Sequence, residues 1–268
     1  MKIILSRKGF DSSNGKQPNP ILPDGTLLSL PIPDDYGNNS FSSLHWEGMS
    51  FYDIVHSLRP RAKMPKDKMC HLDPDLRKDV RNRLPGWKPA FGQSGGALTH
   101  LRNFGVSKDD LFLFYGWFKE TEISQGKLIY KRGAKDLHII YGYMQIDEII
   151  ERKADAPDWL KDHPHIGDKK DRKEEKNAIF LPTDKLSFMP NVNGCGLLNF
   201  RNNRVLTKEG MSRGKWDLPE FFKEVQISHH PDPWKDGYFQ SAAIGQEFVM
   251  EATPQILEWV KKILDSML

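Results

Sequence analysis

The sequence predicts an α+β fold: a single mixed, strand-rich domain with a long loop-rich N-terminal part and a C-terminal helix. Three observations support this prediction. Aromatic and β-branched runs dominate residues 110–150, turn-forming Gly, Pro, Asn and Asp fill much of residues 9–48, and the last apolar segment has helical spacing. No linker separates two compositions, so residues 1–268 are predicted to form one domain.

The N-terminal part is predicted to alternate short elements with long loops. Residues 2–6 form a continuous apolar run that indicates a buried strand, and within the following loops only 26–30 have a strand pattern. Residues 50–58, with Ser50 as a cap, and residues 93–103 are predicted helices.

The second part begins with a predicted three-stranded antiparallel block. Its strands cover 110–118, 127–131 and 137–150, with the last turn near Gly133, and residues 146–150 leave open a short helix. Further strands are predicted at 178–181 and 197–200. The remaining predicted elements are a short helix at 218–222 and a final amphipathic helix that Pro254 opens.

Composition excludes several classes of protein. No apolar run approaches the length of a membrane helix, and the start of the chain becomes charged too early for a signal peptide. The chain has 2 cysteines, Cys70 and Cys195, which are too few for a disulfide framework. A cytoplasmic protein with no membrane partner is therefore expected.

The positive charge is concentrated in one stretch. The formal net charge is +3, yet residues 56–88 hold ten Lys or Arg against four Asp. A solvated surface is one interpretation, and contact with a nucleic acid backbone is the other. On the second interpretation, the candidate backbone contacts are Arg77, Lys78, Arg81, Arg83 and Lys88.

A polar loop follows the first predicted strand directly. It carries Arg7, Lys8, Asp11 and Ser12, and the carboxyl end of a strand is a usual place for ligand chemistry. The alternative is a capped turn in which Asp11 and Ser12 bind local backbone donors. Neither a GxxxxGK[ST] loop nor a GxGxxG pattern occurs in the sequence, so nucleotide hydrolysis of the usual type and dinucleotide redox chemistry lack support.

Histidines and carboxylates form a second candidate group. On an extended strand, His71, Asp73 and Asp75 would share one face and could serve acid–base chemistry or bind a metal. A turn that caps a helix at Leu76 explains the same residues equally well. His163 and His165 are candidates for contact with a phosphate or a base, and because their spacing matches no standard zinc site, no metal is predicted.

Three further polar side chains are candidates for substrate binding. The amides of Gln93 and Gln246 have the donor and acceptor pair that reads a base edge, and His100 lies on the second predicted helix.

Several motifs together resemble the nucleotide-modification-associated domain family of the third type. They are LSRKGFDSSNG, PILPDGTLLSLPIPD, HLDPDL, AFGQ, DDLFLFYGWF, LHIIYGYMQI, HPH, GCGLLNF, WDLPEFF and GQEFV, and they cover nearly the whole chain. The resemblance implies an association with bacterial and phage systems that make, erase or police modified DNA bases. Carried over by position, it singles out Arg7, Lys8, Asp11, Asp24, His71, Asp73, Gln93, His163 and His165.

The expected function is that of a DNA glycosylase that acts on a modified base, plausibly in antiviral defence. Cleavage of the N-glycosidic bond requires a carboxylate near an oxocarbenium-like state and polar groups around the extruded base, without a cofactor. Asp11 is the first candidate for the carboxylate, followed by Asp24 and Asp73. The alternatives are a non-catalytic reader whose residues 110–150 form an aromatic cage, and an enzyme that acts on free modified nucleotides.

Overall fold

The computed structural model describes residues 1–166, 176–228, 232–241 and 247–265. The helices are α1 (Phe51–Leu58), α2 (Gly95–Asn103) and α3 (Pro254–Leu264), and short 3₁₀ segments lie at Lys153–Asp155, Asp158–Leu160, Asn202–Arg204 and Glu220–Glu224. The strands are β1 (Lys2–Arg7), β2 (Asn19–Ile21), β3 (Ile32–Pro33), β4 (Asn39–Ser40), β5 (His45–Trp46), β6 (Met49–Ser50), β7 (Met69–His71), β8 (Phe91–Ser94), β9 (Leu111–Ser124), β10 (Lys127–Tyr130), β11 (Leu137–Ile150), β12 (Asn177–Pro182), β13 (Lys185–Leu186), β14 (Met189–Asn193), β15 (Cys195–Leu197), β16 (Lys215–Trp216), β17 (Trp234–Lys235), β18 (Tyr238–Gln240) and β19 (Glu247–Glu251).

A curled mixed sheet forms the centre of the fold, so the predicted α+β class is confirmed. Its strand order is β19-β1-β9-β11-β12-β8, and β1 pairs with β9 in parallel but with β19 antiparallel. The two ends of this order meet, because the Gln93 side chain on β8 donates a 2.6 Å hydrogen bond to Glu247 on β19. The sheet therefore curls until a side chain of one edge strand reaches the other.

Both faces of the central strands are buried. On β1, Ile3 and Leu5 face the core that α3 covers, whereas Ile4 faces the core that α2 covers. Such burial on two sides explains why β1 is a continuous apolar run and does not alternate. A separate apolar cluster packs α1 against the N-terminal loops.

The predicted antiparallel block is confirmed, because β9 pairs antiparallel with β11 along residues 111–118 and with β10 along residues 121–124. Its aromatic side chains are core residues, since Phe112, Phe114, Tyr115, Phe118 and Tyr141 are all buried. Tyr115 packs against Trp216 in one core, and the other four rings contact one another in the second core. These rings are therefore not exposed to cage a base, which removes the structural reason for the reader alternative.

Some predicted elements are wrong or displaced. Residues 146–150 continue β11, because Glu148 to Ile150 pair with β12, and no helix begins at Leu76. The strand predicted at 197–200 lies earlier, at β15, and 26–30 make only isolated bridges. Helix α2 begins at Gly95, because residue 93 pairs with Ala178 in the sheet.

Capping side chains determine where α1 and α3 begin. The Ser50 hydroxyl accepts from the Asp53 N–H at the start of α1, and the Thr253 hydroxyl accepts from the Ile256 N–H at the start of α3. Cys70 and Cys195 are free thiols. No helix within the described part of the chain is long and apolar enough to cross a membrane.

Candidate functional site

The site begins where β7 ends. This strand carries His71, and Asp73 follows two residues later, where its carboxylate enters the interior beside β8. The Gly92 N–H on β8 donates a 2.7 Å hydrogen bond to Asp73 Oδ1. Asp73 is thus held by an edge strand of the central sheet.

Three histidines surround the Asp73 carboxylate. His163 Nε2 lies 3.4 Å from Oδ1, whereas the Nε2 atoms of His71 and His165 lie 3.8 and 3.7 Å from Oδ2. The side chains of His163, His165 and Asp73 are at most 5% exposed. His71, Asp73, His163 and His165, each singled out from the sequence as a candidate, therefore converge in space.

Neighbouring groups determine the tautomers of these rings. Asn177 Nδ2 donates to the His165 carbonyl, so Asn177 Oδ1 faces His165 Nδ1 at 2.7 Å and accepts its proton. His71 Nδ1 lies 3.4 Å from Asp34 Oδ2. Each of these two rings therefore carries its proton on Nδ1 and directs the lone pair of Nε2 toward Asp73 Oδ2.

The third ring has the opposite tautomer. The backbone N–H of His165 donates to His163 Nδ1 at 3.3 Å, which leaves the ring proton of His163 on Nε2. That proton points toward Asp73 Oδ1, the same oxygen that Gly92 binds. The two carboxylate oxygens of Asp73 thus have different surroundings, with donors at Oδ1 and imidazole lone pairs at Oδ2.

The electrostatics keep Asp73 ionised. Burial alone would raise the pKa of its carboxyl, but the three imidazoles around it, with His163 and His71 contributing most, outweigh burial. As a result, the pKa lies well below its usual range.

Close packing holds the site in place. A Cβ at position 92 would come within 2.2 Å of the His165 ring, so only glycine allows β8 to approach this imidazole. A cavity of about 30 Å³ lies beside Asp73 and is also lined by Gly9, Ser29 and Tyr141. That volume has room for about one water molecule.

A second buried polar cluster lies at the seam of the sheet. Glu247 Oε1 accepts from Lys8 Nζ at 2.9 Å and from Gln93 Nε2 at 2.6 Å, while Oε2 is buried without a hydrogen bond. His100 Nε2 contacts Ser228 Oγ at 2.9 Å, and this hydroxyl donates to the Glu247 carbonyl. Gln93, His100 and Lys8, all predicted from the sequence, therefore converge on Glu247.

The structure separates the residues of the N-terminal motif. Lys8 turns toward Glu247, whereas Arg7 lies 3.7 Å from Asp11 on the other face of β1. Asp11 Oδ1 also accepts from the backbone N–H groups of Ser13 and Asn14, as in the capped-turn interpretation. Arg7, Lys8 and Asp11, which are close neighbours in the sequence, therefore do not converge on one group in the structure.

Two other predicted residues also make local contacts. Ser12 Oγ accepts a hydrogen bond from Arg213, and Asp24 accepts from both the N–H and the hydroxyl of Thr26. The catalytic assignments of Asp11 and Asp24 remain untested. Gln246 lies outside the described residues.

The basic stretch divides into internal and surface residues. Arg83 is 5% exposed and holds both Asp75 oxygens, at 2.5 and 2.6 Å, so it does not face a phosphate backbone. Arg77 donates to the Leu27 carbonyl and covers the Trp46 ring. Arg81 lies 3.5 Å from Asp162, and the two surface members of the set are Lys78 and Lys88.

A basic groove of about 760 Å³ adjoins the site. Asp35 lines this groove, while its neighbour Asp34 contacts His71. The lining also includes Met69 on β7, two residues before His71. The cations along the groove are Lys16, Arg59, Arg61, Lys63 and Lys68.

Sequence reasoning missed three members of these clusters. Glu247 lies in a segment whose apolar pattern predicts only a strand. Its position next to Gln246, a predicted site residue, was a signal that could have identified it. Asp34 and Asn177 lie in segments that looked like an ordinary turn and the start of a strand. The roles of Asp34 and Asn177 depend on which histidine each of them contacts, and only the tertiary structure determines those contacts.

The fold and the site together define an α+β protein with a buried histidine–aspartate cluster at the edge of a curled sheet. A family model described as nucleotide modification associated domain 3 matches residues 2–251. The chain therefore belongs to this family, as its motifs indicated, and its role is linked to nucleotide modification. Searches of curated proteins and of solved structures found no significant match.

Proposed function

We propose that the protein hydrolyses the N-glycosidic bond of a modified base in DNA, with Asp73 as the catalytic carboxylate. The observation that carries the proposal is the buried, ionised Asp73 carboxylate, with three imidazoles around it and a water-sized cavity beside it. The family link to nucleotide modification supplies the substrate class. Asp73 replaces Asp11 as the first candidate, because the Asp11 carboxylate serves a local turn.

The chemistry would use these groups in one displacement. Water attacks C1′ of the sugar as the C1′–N bond breaks through an oxocarbenium-like state, which the negative charge of Asp73 stabilises. One water proton passes to the Asp73 carboxylate or to an adjacent imidazole, and the departing base takes up a proton from the site. The products are a free base and an abasic sugar.

The groove supports a nucleic acid partner. Five cations and two carboxylates, Asp35 and Asp67, line it, so its net charge is positive. A positively charged groove whose lining includes Met69 on β7, the strand that carries His71, suits a backbone whose extruded base enters the buried site. Because Arg83 and Arg77 are used internally, the proposed phosphate contacts move to Arg61 and Lys63.

The proposal predicts a strong effect of Asp73→Asn. This variant keeps the shape of the side chain and an acceptor for the Gly92 N–H but removes the charge, so base release should fall about 10²–10³-fold. The measurement is alkali-induced strand breakage of phage DNA with hypermodified cytosines, with circular dichroism as the test of folding.

Two further variants make this test specific. Asp155→Asn removes a surface carboxylate that pairs with Arg152 and should keep full activity. Loss of activity in Asp11→Asn but not in Asp73→Asn would overturn the assignment. Wild-type protein that releases no base from DNA but acts on a modified nucleoside monophosphate would favour the free-nucleotide alternative.

The groove gives a separate prediction for binding. The double variant Arg61→Glu, Lys63→Glu should weaken DNA binding for every sequence and reduce the salt slope by about 2, since each lost phosphate contact contributes about 1. The matched control is Lys261→Glu, Lys262→Glu on α3, which lies outside the groove lining. Equal affinity of the two double variants at low salt would contradict the proposal.

A further inference from the structure

We propose that His71, Asp73 and His165 bind one divalent transition-metal ion. Metal binding itself is argued from the geometry, whereas its use to activate the attacking water rests on the proposed hydrolysis. One ligand atom from each residue lies within 4.8 Å of the other two, and all three side chains are largely buried. From the sequence, no metal was predicted, because the spacing of His163 and His165 matches no standard zinc site.

The distances fit a shared cation better than direct hydrogen bonds. The Nε2 atoms of His71 and His165 lie 3.8 and 3.7 Å from Asp73 Oδ2, beyond ordinary hydrogen-bond length. Ligand atoms about 2.1 Å from a metal ion lie roughly 3–3.5 Å apart at tetrahedral or octahedral angles. A contraction of a few tenths of an ångström would therefore bring Asp73 Oδ2 and each Nε2 to the spacing of two ligands on one ion, and the ligand atoms of all three residues already lie within 4.8 Å of one another.

The neighbours of the histidines are those that metal-binding histidines have. The Nδ1 side of His71 faces the Asp34 carboxylate, and the Nδ1 side of His165 faces the Asn177 amide oxygen. Such partners fix the tautomer and direct Nε2 toward the metal. Two imidazole lone pairs and a carboxylate oxygen repel one another, and a cation between them would remove that repulsion.

His163 provides independent support. Its Nε2 is buried, has no hydrogen bond of ordinary geometry, and points at Asp73 Oδ1 from 3.4 Å. With the Gly92 N–H, it holds Oδ1 and leaves Oδ2 for the shared cation. His163 is thus a positioning residue for the carboxylate, and the ligand set is two histidines and one aspartate.

The ligand types indicate the class of metal. Two imidazoles favour Zn²⁺ or Fe²⁺ over Mg²⁺ or Ca²⁺, which prefer oxygen. Three protein ligands leave coordination positions open for water. The cavity that Asp73 lines has room for about one water molecule. A metal-bound water has a lowered pKa and is a strong nucleophile at neutral pH.

The test is metal titration of the chelator-treated full-length chain. We expect one equivalent of Zn²⁺ by plasma emission spectrometry after dialysis, and one equivalent of Co²⁺ with visible absorption bands. His165→Gln and Asp73→Asn should each weaken Zn²⁺ binding by more than about 100-fold. Gly92→Ala keeps all the ligands but displaces the His165 ring, so it should weaken Zn²⁺ binding by about 10–100-fold. His45→Gln, at an exposed histidine, is the matched control.

The outcomes separate this inference from the proposed hydrolysis. Folded wild-type protein that binds no Zn²⁺ or Co²⁺, or His165→Gln and Asp73→Asn that bind as tightly as the wild type, would overturn the metal site. Base release that persists in excess chelator would overturn the metal's role in water activation. One bound equivalent without base release would establish the metal site and contradict the glycosylase.

Discussion

Replacing Arg83 with methionine is expected to lower the free energy of unfolding by about 3–5 kcal/mol. Arg83 and Asp75 are both at most 5% exposed, and two hydrogen bonds join the guanidinium to the carboxylate. Methionine fills a similar volume but leaves Asp75 as a buried charge without its partner. Urea denaturation monitored by tryptophan fluorescence measures the change.

Two comparisons test the cause of this effect. Arg81→Met breaks a contact with the half-exposed Asp162 and should cost no more than about 1 kcal/mol. The double variant Arg83→Met, Asp75→Leu should recover much of the stability, because both charges are gone. Unchanged stability of Arg83→Met together with weaker DNA binding would instead restore the phosphate contact that the sequence predicted.

Local patterns predicted most of the elements correctly. The apolar run of β1, the Ser50 cap of α1 and the helical spacing of α3 each depend on neighbours along the chain. Strand order has no such local signal, since β1 pairs with strands from the middle and the end of the chain. The curl of the sheet likewise depends on the long-range contact of Gln93 with Glu247.

The errors have physical causes. The helix predicted from residue 93 begins only at Gly95, because residues 93 and 94 pair with β12 in the sheet and this long-range pairing leaves no local signal. Arg83 looked like a surface cation because nothing in the sequence shows that Asp75 turns inward to meet it. Residues 56–88 are therefore rich in positive charge, as predicted, but their cations do not form one continuous surface.

For the site, the sequence provided residues but not their arrangement. His71, Asp73, His163 and His165 were selected by type and by family motif, yet only the fold brings the segment at 163–165 against the end of β7. The different tautomers of His163 and His165 could not be predicted, because they depend on Asn177 and on one backbone N–H. Because the surroundings of Asp73 depend on the tertiary structure, the sequence favoured Asp11 as the first candidate for the catalytic carboxylate.

Replacing Lys8 with methionine is expected to lower the free energy of unfolding by about 3–5 kcal/mol. Lys8 Nζ lies 2.9 Å from Glu247 Oε1, and the Glu247 side chain is only 3% exposed, so the variant leaves a buried charge at the seam of the sheet. Lys2→Met is the matched control on the same strand. Its contact with the exposed Glu251 is 3.7 Å long and should contribute less than about 1 kcal/mol.

The double variant Lys8→Met, Glu247→Met separates a structural role of Lys8 from the substrate contact that the sequence predicted. Removing both charges should return most of the lost stability, because neither partner is then buried alone. If base release returns together with stability, Lys8 serves the sheet. If stability returns while base release stays low, the pair acts on the substrate, and the buried, unbonded Glu247 Oε2 becomes a second candidate for the catalytic carboxylate.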